Sequence, residues 1–225
     1  MDDMTPLRVP EAVRISSTSH RVTVIGEARS DVSVDGDARV YRDDVGTTVV
    51  DVAGTLTIRV PEGTSIVIGS SSGRVEVSGP IGDIAVLTDS GRIDIAEAAS
   101  VDARTTSGRV QIGTVDGTCR VSSVSGRIHV GGCGSASVAT DSGRVSLEHV
   151  AGPVEAHCVS GRIDVSLDSA HDVAAETVTG RVTVSMPSGV EVFESTESTA
   201  VIRPPDCDCT VSAQSVSGRI DVSNR

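Results

Sequence analysis

The chain has 225 residues, 19 basic and 31 acidic, a formal net charge of −12, and two aromatic side chains, Tyr41 and Phe193. Without the large side chains that fill a wide core it must build a narrow one from Val, Ile, Ala and Thr, yet its 38% apolar content is too high for a disordered chain. The acidic balance and the scarcity of rings argue against nucleic-acid binding, which needs cations and stacking platforms, and no apolar run approaches the ~20 residues of a membrane span.

The first residues, Met1-Asp2-Asp3-Met4, carry no apolar leader, which predicts a cytoplasmic protein. Residues 1–70 read as strands, with alternation in Arg21-Val22-Thr23-Val24-Ile25 and in Thr55-Leu56-Thr57-Ile58-Arg59-Val60. Asp35-Gly36 signals a hairpin and Pro61-Glu62-Gly63 a turn. This segment is expected to be irregular or antiparallel β structure that caps the first layer of residues 71–225.

Residues 71–225 are a repeat. Ser-Gly-Arg followed by Val or Ile is centred on Gly73, Gly91, Gly108, Gly126, Gly143, Gly161 and Gly218, with Thr-Gly-Arg at Gly180. The spacings are 18, 17, 18, 17, 18, 19 and then 38, as if one copy kept its length and lost its signature. After each Arg the chain alternates, as in Ile128-His129-Val130, and a second alternating segment comes next, as in Ala136-Ser137-Val138. So short a unit cannot bury a face alone and must stack on its neighbours. The prediction is an all-β fold, a parallel β-solenoid with rungs of 17–19 residues and three short faces. A rung of 35 residues holding two copies is the alternative. The eight glycines are assigned to corners that need φ > 0, with the preceding hydroxyl satisfying a turn amide. Gly126→Val should then destabilise far more than Gly131→Val. Residues 185–216, with Pro187 and Pro204-Pro205, read as an irregular rung with a surface excursion, and the last copy as an uncapped one.

The glycine-punctuated repeats, preceded by Leu56-Thr57-Ile58-Arg59-Val60-Pro61-Glu62-Gly63, resemble the bacterial adhesin-type family of β-strand-repeat domains of unknown function over roughly residues 45–225. The resemblance implies a β-solenoid without established catalytic residues. The rung length is also similar to that of bactofilins, cytoskeletal β-helix polymers.

Stacking would align Arg74, Arg92, Arg109, Arg127, Arg144, Arg162 and Arg181 in an outward ladder. Neighbouring like charges ~4.8 Å apart repel by about 1 kcal/mol in water. Glu76, Asp94, Asp164 and Asp221 stand two residues from their own Arg and can relieve this, and Asp89 and Asp141 precede two corners. Arg109 and Arg127 have only Gln111 and His129 beside them. Arg109, Arg127, Arg144 and His129 are therefore the candidate anion-binding residues, against the alternative of a solvated, mutually paired ladder. Cys119, Cys133 and Cys158 fall on inward positions. Cys207 and Cys209 share a strand face and could hold a soft metal or cycle redox states, but two ligands make no metal site. Gly69-Ser70-Ser71-Ser72-Gly73 matches a nucleophile-elbow pattern by letters only, and no triad emerges. The expected protein is a non-enzymatic binding or scaffold module without a cofactor, its partner a protein or an anionic ligand. The alternative is a structural protein that joins copies of itself through its C-terminal rung.

Overall fold

A computed structural model describes residues 12–43, 48–169, 171–187, 199–202 and 210–224. Ten strands form one sheet. They are β1 (Ala12–Ser17), β2 (Val22–Glu27), β3 (Ser33–Arg42), β4 (Thr48–Pro61), β5 (Ser65–Ser78), β6 (Ile81–Val150), β7 (Val154–Leu167), β8 (Val173–Met186), β9 (Thr199–Ile202) and β10 (Val211–Asn224). β6 is one continuous run through four Gly-Arg motifs. No helix occurs among the described residues.

Every Gly-Arg motif lies on the next in parallel register. Gly73 pairs with Gly91, Gly143 with Gly161, Gly161 with Gly180, and Gly218 with Gly180. One copy therefore makes one layer, and the 35-residue alternative is excluded. The architecture is all-β and solenoid-like. Within one layer Ile84, Val86 and Thr88 point inward, then Ile93 and Ile95, then Ala98, with exposed or half-exposed residues between. These inward sets of three, two and one are the three sides of the coil. Stacking turns each inward position into a column, such as Ile66, Ile84, Val101, Cys119, Ala136 and Val154. Small β-branched residues suit such columns, because their stiff side chains pack against copies of themselves on a pleated surface.

The N-terminal 70 residues depart from the expected cap. β1 and β2 together make a full parallel layer, with Ile15 on Ile68 and Val24 on Val77. β4 makes another on the far side of it, with Val50 on Ile15 and Ile58 on Val24. Among the described residues of this segment only β3 pairs antiparallel, on β4. Alternation alone does not distinguish parallel from antiparallel partners, so the sequence of this segment is equally consistent with either. Residues 12–27 thus lie between two strands that come after them in sequence, and the sheet runs unbroken across residue 70.

The second departure is at residues 185–216. β10 pairs directly with β8 at an offset of 38, Val211 on Val173, so no irregular layer is inserted. β9 returns antiparallel against Val211–Gln214. Cys207 and Cys209 lie outside the described residues, as does Phe193.

The glycine column has a stronger cause than a corner. Five of the eight motif glycines have φ between 141° and 153°, a region closed to other residues, whereas Gly126 is not among them. All eight share a second constraint. A Cβ on Gly126 would strike the carbonyl oxygen of Gly108, one on Gly161 that of Gly143, and one on Gly73 that of His20. Close approach of the adjacent layer therefore demands glycine even where the dihedral does not. Gly131 is no neutral control, since its Cβ would lie 2.8 Å from the Gly113 carbonyl oxygen.

The hydroxyl chemistry also differs from expectation. Thr88, Thr105, Thr140 and Thr177, two residues before each Ser-Gly or Thr-Gly pair, are buried, and each Oγ1 donates to the carbonyl of the residue before the glycine at 3.2–3.4 Å. Ser70, Ser123 and Ser215 hold the same column, and their buried hydroxyls have no partner. Ser123→Thr should supply the missing bond and fill the methyl position. We expect a gain of about 0.5–1 kcal/mol in urea unfolding. A loss would show that the serine layers cannot accommodate the γ-methyl.

Candidate functional site

Each Arg follows its glycine at the same corner, so the register that stacks the glycines also stacks the guanidiniums: Arg74 on Arg92, Arg144 on Arg162, Arg162 on Arg181 and Arg219 on Arg181. The glycines carry no side chain to fill the space beside this column. The outcome is an open groove of about 850 Å³ along the coil. It is lined by the Gly and Arg residues of the motifs from Gly108 to Arg181, together with Arg219.

The two ends of the arginine column are neutralised. Arg74 Nε lies 2.7 Å from Glu76 and its Nη2 3.1 Å from Asp94 of the next layer. Arg92 Nε lies 2.8 Å from Asp94, and its Nη2 donates to Gln111 Oε1 at 3.3 Å. At the other end Arg219 Nε meets Asp221 at 2.8 Å. Between them Arg109, Arg127, Arg144, Arg162 and Arg181 make no ion pair or side-chain hydrogen bond among the described residues. The unpaired stretch is longer than Arg109 and Arg127 alone. Asp164 does not close on Arg162, nor Asp141 on Arg144, so five successive cations are free.

His129 stands beside Arg127 but turns to the next layer, with Nδ1 3.9 Å from Glu148 Oε1. His149 and His157 do the same with Asp168 at 3.0 Å and Glu176 at 3.7 Å. His149 has φ 48°, a left-handed conformation uncommon for a residue with a Cβ, where the register of β6 on β7 slips. The described residues contain no group of three or more His, Cys, Asp or Glu able to hold a metal ion. Gly69–Gly73 lies inside β5, with no helix after it, so the strand-turn-helix geometry of a nucleophile elbow is absent.

A second column runs three residues before the arginines, outside the lining of the groove. Val124, Val159, Val178 and Val216, each three residues before an arginine of the column, are 40–79% exposed. Only Ser-Gly or Thr-Gly separates each from its arginine. Asp141 holds that position in the layer between Val124 and Val159. A β-strand alternation template assigns no meaning to an exposed Val, so the column passes unnoticed in sequence until the layers are stacked.

The three described cysteines are core residues. Burial pushes the Cys119 thiol up to about 12, with proximity to Cys133 adding to it, and the Cys133 thiol up to about 11. Cys158 is also raised, by burial first. In the folded state these thiols keep their protons where an unfolded chain loses them. Their contribution to stability is therefore complete below pH ~9 and is lost as pH rises toward 11–12. Iodoacetamide at pH 8 should leave Cys119, Cys133 and Cys158 unmodified, and peptide mapping should find them labelled only after unfolding. Labelling of Cys119 in native protein would contradict its place in the core.

No curated protein matches the chain. The family model described as Toastrack DUF4097 matches residues 11–225, nearly the whole length, and so spans every layer of the stack; the chain belongs to the Toastrack DUF4097 family.

Proposed function

We propose that this protein is a non-catalytic binding module: a rigid parallel β-solenoid that presents its arginine groove to an extended anionic partner. The observation that carries this reading is the run of five unpaired arginines, Arg109 to Arg181, on a chain of net charge −12. An acidic molecule has carboxylates to spare, and at both ends of the column it uses them. Leaving the middle unpaired costs repulsion that nearby acids could remove. Guanidinium groups at a fixed pitch suit a row of carboxylates or phosphates, each taken in forked hydrogen bonds. The scaffold role, the adhesin-type role and the cytoplasmic setting belong to this same proposal.

Poly-L-glutamate is the probe. Titration calorimetry at low salt should show binding that weakens steeply as salt rises. Arg127→Glu combined with Arg144→Glu should weaken it at least about thirtyfold, roughly 2 kcal/mol. Arg104→Glu, on an arginine paired with Asp102 at 3.1 Å and lying outside the groove, should leave it unchanged. Equal binding by all three proteins, or none by the native one, would remove this reading.

Self-association is a second reading. Beyond Gln214 the outer edge of β10 has no strand partner among the described residues, and an unpaired edge is a template for strand addition. Sedimentation that shows only monomer at high concentration would exclude it.

A further inference from the structure

We infer that the partner of the arginine groove is an extended peptide in which acidic and apolar residues alternate; this rests on the groove being an anion site, as proposed above. Two unlike columns run side by side along the stack. Arg109, Arg127, Arg144 and Arg162 line the groove with the motif glycines, and across the Ser-Gly strip of the layers a second column, outside the groove lining, holds exposed Val124 and Val159. A simple polyanion uses only the first column. A single-stranded nucleic acid would want aromatic platforms, and this chain has two aromatic residues, with none among the described residues that line the groove. An extended peptide sends alternate side chains to opposite sides. One lying along the coil axis would give its carboxylates to the arginines and its apolar side chains to the valines.

The spacing is compatible. Layers repeat every ~4.8 Å, while same-side residues of an extended peptide repeat every ~6.8 Å, so two peptide intervals span about three layers. Arginine side chains are long enough to absorb the remaining difference, and the five free arginines cover about the length of six peptide residues. The side-chain-free floor lets the peptide backbone approach closely and still keep its polar groups hydrated from the open side. Asp141, set between Val124 and Val159, interrupts the apolar column and disfavours a carboxylate passing on that side. This fixes which side of the peptide must be apolar.

Fluorescence anisotropy with two labelled heptapeptides of equal charge, Glu-Val-Glu-Val-Glu-Val-Glu and Glu-Ser-Glu-Ser-Glu-Ser-Glu, tests this. The valine peptide should bind at least about tenfold more tightly. In Val124→Ser combined with Val159→Ser, folded by circular dichroism, that preference should fall below about twofold while poly-L-glutamate binds as before. Asp141→Val should tighten the valine peptide several-fold. Equal affinity for the two peptides, or a preference that survives the valine substitutions, overturns the inference. So does inorganic polyphosphate binding more tightly than either peptide. In each of these cases the anion-binding reading stands, whereas failure of every anion to bind removes both.

Discussion

Gly161→Val should cost at least about 4 kcal/mol of stability, enough to unfold part of the stack at room temperature, while Gly132→Ala should stay within about 1 kcal/mol. Two penalties meet at Gly161. Its φ of 153° belongs to glycine, and a Cβ there would strike the Gly143 carbonyl oxygen of the layer beneath. Relief would require the layers to separate, which breaks the hydrogen bonds and the core columns together. At Gly132 the nearest atom to a Cβ would be Thr114 Cγ2 at 3.5 Å, an ordinary contact, and no left-handed φ is involved. Gly126→Ala separates the two causes, because Gly126 lacks the left-handed φ but shares the collision. It should cost about 3 kcal/mol or more in urea unfolding followed by circular dichroism. A mild effect at Gly126 beside a severe one at Gly161 would mean that the dihedral, not the layer spacing, selects glycine.

Arg127→Gln should stabilise the free protein by about 1–2 kcal/mol at low ionic strength, because it removes a cation with unpaired cations on both sides. The gain should shrink as salt rises and vanish near 1 M, where the screening length falls to ~3 Å. Arg92→Gln should do the opposite. Arg92 holds Asp94 at 2.8 Å and reaches Gln111, so its loss leaves Asp94 with Arg74 alone. The contrast in sign matters more than either magnitude. A substitution that stabilises the molecule and weakens poly-L-glutamate binding marks a row of charge kept for something other than folding. If both substitutions destabilise, the central arginines are structural.

The repeat itself was legible because each layer repeats its chemistry at a constant offset. Gly91 and Ile93 announce their partners through Gly108 and Val110 in the sequence alone. The inward cysteines and the aligned arginines come from the same register. What was hidden depends on contacts between residues that no periodicity relates. The motif of Arg21 is masked by His20 where a glycine is expected, so the layer of β1 and β2 reads as an unrelated pair of strands, although Arg21-Val22 sits where Arg74-Val75 sits in the next layer. The 38-residue gap before Gly218 reads as a silent copy, yet β10 lies straight on β8. In the groove, Asp164 has the same spacing from Arg162 as Asp94 has from Arg92, and only Asp94 closes. Sequence spacing cannot supply that difference. The threonines before the glycines were visible as letters, but their donor role depends on the local backbone that brings the carbonyl two residues on within reach.

The placement of residues 12–27 between β4 and β5 has a mechanical consequence. A tug on the N-terminal side must draw a strand out from between two neighbours and break both of its hydrogen-bonded edges, whereas a strand at the rim of a stack peels from one. It also sets an order of assembly. Residues 12–27 leave the ribosome before β4 and β5 and have no seat until about fifty further residues have emerged, and both strands that hold them must close over them. The stack is latched by a segment that is made before both of the neighbours that hold it.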